Sequence, residues 1–219
     1  MPPARRGVTI LKPLKGVDDR LYENLASFAT QTHARLQILL GAADPEDPAL
    51  AVARRLETSF PDVDIRIVAG TAPLGRNPKV ANLAGLMPHA RHDLLLVSDS
   101  NVRARPGYVA DLVAEHEATG AALLCSVVAA HGERSLAAHL ENLQLNTWLA
   151  GAMCGTQVVT GSACVVGKSM LFGRSDLERL GGWSSVQDVL AEDYVIGSRL
   201  AAEGGVVRTS RHTVDTINV

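Results

Sequence analysis

Asp44 and Asp99 each follow an apolar run with the composition of a buried strand. Ile38-Leu39-Leu40-Gly41 precedes the first, and Leu94-Leu95-Leu96-Val97-Ser98 the second. A third acid, Asp193, stands in Ala191-Glu192-Asp193, beyond Gly181-Gly182-Trp183. An acid just past a buried strand lies at the carboxyl edge of a sheet, where open α/β folds take their ligands. Three acids on one edge supply three kinds of chemistry. One can hold a base or ribose, one a divalent metal with a diphosphate, and one can take a proton from an acceptor hydroxyl.

The surroundings of each acid refine these roles. Asp44 can accept from a base N–H or a ribose hydroxyl, although Asp-Pro pairs also start turns. Asp47, directly before Pro48, suits a helix cap better than Asp44 does. Asp99-Ser100-Asn101 puts two oxygen ligands two residues apart on an extended turn, able to share Mg2+ or Mn2+ with a diphosphate. The usual form is Asp-x-Asp, so Asn101 is a neutral ligand in place of the second acid. Gly75-Arg76-Asn77-Pro78-Lys79-Val80-Ala81-Asn82 reads as a loop feeding a helix start, whose free N–H groups favour anions. Lys79 adds a point charge toward the diphosphate and Asn82 a polar contact. Glu192 and Asp193 precede a helix. There Asp193 can serve as general base, as N-cap, or as both. Gly167-Lys168-Ser169 resembles part of a phosphate-binding loop, but the upstream glycine spacing is missing, so no such role is expected. His89 and His92 read as surface residues, because no third ligand accompanies them.

Strand and helix signals alternate, as in a mostly parallel sheet with helices on its faces. Strands are expected over Val8–Leu11, Arg35–Gly41, Val63–Val68, Asp93–Ser98 and Ala121–Ser126. Another is expected to end near Phe172, with Val206–Thr209 as the last. Helices are expected over Asp18–Thr30 behind an Asp18 cap, then Asp47–Phe60, Pro78–Met87 and Pro106–Thr119. Ser135–Leu149, Ser175–Leu180 and Asp193–Glu203 complete the helices. No repeat or interdomain linker interrupts the series, so residues 1–219 are expected to form one domain.

Bulk composition excludes several classes of function. Hydrophobic residues at 47% and charged residues at 20% indicate a packed domain rather than disorder. A formal charge of −2 and 4% aromatics give neither a basic footprint nor a stacking platform, so nucleic acid is not an expected partner. Cys125, Cys154 and Cys164 lack paired spacing and read as thiols in a reducing compartment. No apolar run approaches the ~18 residues that cross a bilayer, so the chain as given is expected to be soluble. Its abrupt ends, Met1-Pro2-Pro3-Ala4-Arg5-Arg6-Gly7 and Thr216-Ile217-Asn218-Val219, read as cuts in a longer protein.

Five stretches together resemble the ceramide glucosyltransferase family of inverting glycosyltransferases. They are Val8 through Asp19 with its Lys12-Pro13-Leu14-Lys15-Gly16, Asp44 through Pro48, Asn77-Pro78-Lys79-Val80-Ala81-Asn82-Leu83, Asp93 through Asn101, and Ala191-Glu192-Asp193-Tyr194. The resemblance implies the GT-A fold, a Rossmann-like, mostly parallel mixed sheet with helices on both faces. It also implies a UDP-sugar donor, usually UDP-glucose, and a divalent cation, Mg2+ or Mn2+. The implied acceptor is a sphingolipid such as ceramide, with the full-length protein in a membrane and its core on the cytoplasmic face. On this reading Asp44, Lys79, Asn82, Asp99 and Glu192 bind the nucleotide sugar, Asp99 and Asn101 hold the metal, and Asp193 is the catalytic base. The family's Arg/Gln-x-x-Arg-Trp motif does not occur in this chain, and the histidine that animal members carry between the fifth strand and the Gly-rich segment has no clear counterpart in it. A bacterial relative acting on a hopanoid or polysaccharide, or a silent nucleotide-binding module, are the alternatives.

Overall fold

The computed structural model describes residues 6–132 and 134–217; residues 1–5 and 218–219 of the two ends read above lie outside them, as does residue 133. In the first half, β1 (Val8–Leu14), β2 (Leu36–Ala42), β3 (Asp64–Ala69) and β4 (Leu94–Ser98) are joined through α1 (Leu21–Ala29), α2 (Ala49–Ser59) and α3 (Pro78–Leu86). Next come β5 (Val102–Arg103), α4 (Tyr108–Thr119), β6 (Leu123–Cys125) and β7 (Val128–His131). Helices α5 (Leu136–Leu143) and α6 (Ala150–Thr160) follow, joined without a break by a π-helical turn over Gln144–Leu149. The chain closes with β8 (Ser169–Gly173), α7 (Arg174–Arg179), α8 (Glu192–Ala202), β9 (Val207–Thr209) and β10 (Val214–Ile217).

Seven strands form one sheet in the order β3-β2-β1-β4-β8-β6-β9, parallel except where β8 runs against both its neighbours. Successive side chains of a strand point to opposite faces, and the two cores divide accordingly. Ile10, Leu94 and Leu96 face α1, α2 and α4 with Phe28, Leu56 and Leu112. Leu11, Leu95 and Val97 face α3, α7 and α8 with Leu83, Leu177 and Leu200. Both faces of the sheet are therefore covered, which is why β4 reads as an unbroken apolar run.

Register decides where the chemistry lies. Leu14 pairs with Ala42, and Leu11 with Val97, so β1, β2 and β4 end at one edge. Because β8 is antiparallel, Ser169 at its start pairs with Ser98 at the end of β4. The residue before β8 thus arrives at the same edge as the residue after β4.

The structure departs from the expected elements in three places. A small second sheet, β5-β10-β7, lies outside the expected set, and Val214–Ile217 rather than Val206–Thr209 is the last strand among the described residues. Its strands are two to four residues long, too short to carry a periodic signal. The helix expected to stop at Leu149 continues to Thr160, since the glycines at 151 and 155 slow a helix without ending it. The strand expected to end near Phe172 is present, as Ser169–Gly173. Asp18 does not cap α1; Arg20 holds that position, and the Asp18 carboxylate accepts instead from Ser100.

Candidate active site

The shared strand edge borders a cavity of about 420 Å³, within the range of small-molecule sites. Asp44, Lys79, Asn82, Asp99 and Asn101 all line it, so five of the expected residues converge from two loops and the start of α3. Asp44 is exposed on the turn after β2, where the Glu46 N–H donates to its Oδ1 at 2.9 Å. Pro48 rather than Asp47 holds the cap position of α2, but Asp47 still accepts from the Ala49 N–H at 2.8 Å, and does more. Both its oxygens accept from the Gly16 N–H at 3.0 Å, which fixes the loop after β1 against the cavity. Gly16 turns there at φ 67°, a backbone conformation that disfavours side chains.

Lys79 is the centre of the charge arrangement. Its Nζ lies 2.9 Å from Asp99 Oδ1 and 3.1 Å from Glu192 Oε1, with its side chain 27% exposed. Burial alone would lower its pKa, but the two carboxylates outweigh burial and raise it. Helix geometry delivers the lysine: the Asn77 side chain accepts from the Lys79 and Val80 N–H groups and caps α3, with Pro78 in the first turn. The other end of the Asn77 amide donates to Glu192 Oε2 at 3.1 Å and to the Val189 carbonyl at 2.7 Å.

Glu192 is buried and does not line the cavity; both its oxygens are engaged by Lys79 and Asn77. It therefore stands behind the lysine as its countercharge. Asn82 lines the cavity but is anchored, its Nδ2 donating to the Gly41 carbonyl at 2.8 Å and to the Leu14 carbonyl at 3.3 Å. Its buried Oδ1 has no partner among the described residues.

Asp193 lies beside the cavity rather than in its wall, at the second position of α8; Ala191 is the cap residue, so the N-cap reading does not hold. Its Oδ1 accepts from the Tyr194 N–H at 2.8 Å, and its Oδ2 from the Gly167 N–H. A Cβ at Gly167 would come within 2.8 Å of that Oδ2 and 3.1 Å of Lys79 Nζ, so a side chain there would have to displace the carboxylate. Exposed Leu190 and Tyr194 flank the acid in sequence.

Two lysines absent from the expected site belong to it. Lys168 lines the cavity, with Nζ 3.1 Å from Asn101 Oδ1 and 3.6 Å from Asp99 Oδ2. Lys12 lies fully buried beneath, its Nζ donating to Ser98 Oγ at 3.1 Å and to the Asp99 carbonyl at 2.9 Å. Its charge also sits 3.7 Å from the centre of the Phe28 ring. A lysine inside an apolar strand was the available signal for Lys12. For Lys168 it was the Gly167-Lys168-Ser169 tripeptide, which lacks the upstream glycines of a phosphate-binding loop; the antiparallel course of β8 that brings it to this edge is not written in composition.

Asp99 and Asn101 offer two oxygens, and among the described residues no cluster of three His, Cys, Asp or Glu side chains is placed to hold a metal ion. A pair suffices for Mg2+ or Mn2+ when phosphate oxygens and water supply the remaining ligands, so the donor set fits as a partial one.

The fold and this edge cavity define the GT-A class. A mannosyltransferase, PcManGT of Pyrobaculum calidifontis, solved with GDP-Man and Mn2+, superposes with TM-score 0.72 at 18% identity, over 98% of this chain and 57% of that one. Staphylococcus aureus TarS 1-349 with UDP-GlcNAc gives TM-score 0.64 at 12% identity, over 97% and 59%. The chain belongs to glycosyl transferase family 21, whose profile matches residues 2–218. Among its relatives, ceramide glucosyltransferase 1 of Caenorhabditis elegans is 30% identical over 96% of this chain and 45% of its own length. The ceramide glucosyltransferase of Candida albicans is 40% identical over 45% of this chain and 20% of its own. The chain spans less than half the length of either relative.

Proposed function

We propose that this chain is the catalytic core of an inverting transferase. It would move a hexose from a UDP-sugar, UDP-glucose foremost, to the hydroxyl of a membrane lipid such as ceramide. The observation that carries this reading is Lys79, held between Asp99 and Glu192 at the head of α3, with Asp193 against the adjoining Gly167. A diphosphate over Lys79 and the start of α3 meets one fixed ammonium and the helix N-terminus. Asp44, on the turn after β2 in the same cavity lining, takes the base or ribose.

Asp193 then acts from the opposite side of the sugar, drawing the proton from the acceptor hydroxyl as it attacks the anomeric carbon. Lys79 balances the negative charge that gathers on the departing diphosphate; one such preorganised interaction contributes about 3 kcal/mol. Bound at Asp99 and Asn101, a divalent cation would add further neutralisation of that charge. A lipid acceptor is supported by the exposed Leu190 and Tyr194 beside the base. It is supported also by the Leu136–Thr160 helical stretch, which exposes Leu136, Leu140, Leu143, Trp148, Val158 and Val159.

Titration calorimetry with UDP, UDP-glucose, UDP-GlcNAc and GDP-mannose, each with Mn2+ and with EDTA, tests the donor. Selective binding of one UDP-sugar is the expected result. Equal or absent binding of all four, repeated in a longer chain with the following segment, would sink the reading.

A further inference from the structure

Lys168 holds the position that a cation bound to Asp99 and Asn101 would need. Its ammonium reaches Asn101 Oδ1 at 3.1 Å and Asp99 Oδ2 at 3.6 Å, while Lys79 occupies the other oxygen of the same carboxylate at 2.9 Å. The two residues are also tied through the backbone, the Asp99 N–H donating to the Lys168 carbonyl at 3.2 Å. The antiparallel start of β8 therefore delivers a positive charge to the oxygens that the loop after β4 presents.

The two lysines are not held alike. Lys79 has a second carboxylate, Glu192, at 3.1 Å and is pinned by the capped start of α3. Lys168 has one neutral partner and one long contact to a carboxylate already shared. It is also 28% exposed on a flexible four-carbon stem. Of the two charges, Lys168 is the one that can leave at little cost.

We propose that Lys168 is a built-in counter-cation that excludes a divalent ion from Asp99 and Asn101 until the donor's diphosphate draws its ammonium away. The diphosphate part rests on the donor reading above; the exclusion part does not. Two consequences follow. In nucleotide-free protein Lys168 and the metal compete for the same oxygens, and with nucleotide present Lys168 becomes a metal-independent diphosphate ligand.

The test uses Mn2+ alone, followed by the electron paramagnetic resonance of free ion, and UDP in EDTA, followed by calorimetry. Lys168→Met and Lys168→Gln are expected to bind Mn2+ about tenfold more tightly without nucleotide, the scale of removing one neighbouring like charge. Lys168→Arg should stay close to wild type. Asp99→Asn combined with Lys168→Met should lose the gain, placing it at this site. Lys15→Met removes another cavity-lining positive charge, one that is not among the ion-pair partners of Asp99 in the described residues, and should leave Mn2+ affinity nearly unchanged. UDP in EDTA should bind the Met and Gln variants about tenfold more weakly.

Unchanged Mn2+ affinity in both neutral variants overturns the exclusion, and so does an equal gain in Lys15→Met. If UDP binds wild type and both variants alike in EDTA, the diphosphate role of Lys168 falls while the donor reading stands. Failure of UDP to bind wild type at all, with the Mn2+ gain intact, removes the donor reading and leaves the exclusion in place.

Discussion

Asn77 donates to Glu192 across 3.1 Å and so joins the residue before α3 to the first residue of α8. Because the same asparagine caps α3 and the same glutamate holds Lys79, the two helix starts and the lysine form one unit. Asn77→Ala should cost about 2 kcal/mol, from a lost cap and an unpaired buried acceptor. Urea unfolding measures this, and a loss below the usual scatter of surface substitutions would refute the unit.

Glu192→Gln keeps the hydrogen bond and removes the countercharge. Lys79 is then held by Asp99 alone, and its raised pKa should fall toward the ordinary lysine value of 10.5. A lysine with raised folded pKa contributes stability that is full below the unfolded value and lost as pH rises through the folded value. The alkaline loss of stability should therefore be smaller, and finished at lower pH, in Glu192→Gln than in wild type. Unfolding curves from neutral pH upward measure the size of that loss.

Lys12 works in the opposite sense. Burial lowers its pKa well below 10.5, and the nearby Asp99 only partly opposes this. Its unfolded form binds more protons across that window, so its contribution is present above the unfolded value and is lost as pH falls through the folded one. Lys12→Met should remove this rise of stability with pH. It should also slacken the turn from Ser98 to Val102, whose oxygens Lys12 holds, and weaken UDP binding about tenfold. Wild-type affinity in the variant would show that the turn holds itself.

Asp193→Asn should lower the transfer rate by about two to four powers of ten in a chain that transfers, with donor affinity little changed. Gly167→Ala tests the same contact without removing a reactive group. Its Cβ would press on both Asp193 and Lys79, so transfer and donor affinity should fall together. A drop in nucleotide affinity in Asp193→Asn alone would assign the acid to the donor instead.

Much of the architecture was legible because β1, β2 and β4 are buried on both faces and each is followed by a polar turn. Those turns carry Asp44 and Asp99, so strand ends located the acids before any coordinates did. Direction was not legible: β8 has the apolar composition of the sheet's other strands, yet its reversal brings Lys168 to Asp99. Nor was partnership legible. Glu192 reads as an acid of the site from its place beside Asp193, but only packing shows it facing Lys79 and Asn77. Asp47 likewise reads as a cap, and its grip on Gly16 links residues 31 apart in sequence.

The Leu136–Thr160 stretch offers the remaining prediction. Glu141 is the only formally charged residue between Arg134 and Lys168, in a chain otherwise 20% charged. Trp148 is 77% exposed and Val158 86% exposed, although no described helix is long and apolar enough to cross a membrane. Side chains with so little to lose in the fold can be changed cheaply. Replacing Leu140, Leu143 and Trp148 together by serine should cost roughly 0.5 kcal/mol or less per site. If the acceptor is a membrane lipid, those residues lie along the bilayer surface, with the apolar face in the headgroup boundary. The triple variant should then sediment with phosphatidylcholine vesicles markedly less than wild type while binding UDP equally well. Equal sedimentation of the two proteins would remove this helix from the membrane contact and leave Leu190 and Tyr194 as the apolar support for a lipid acceptor.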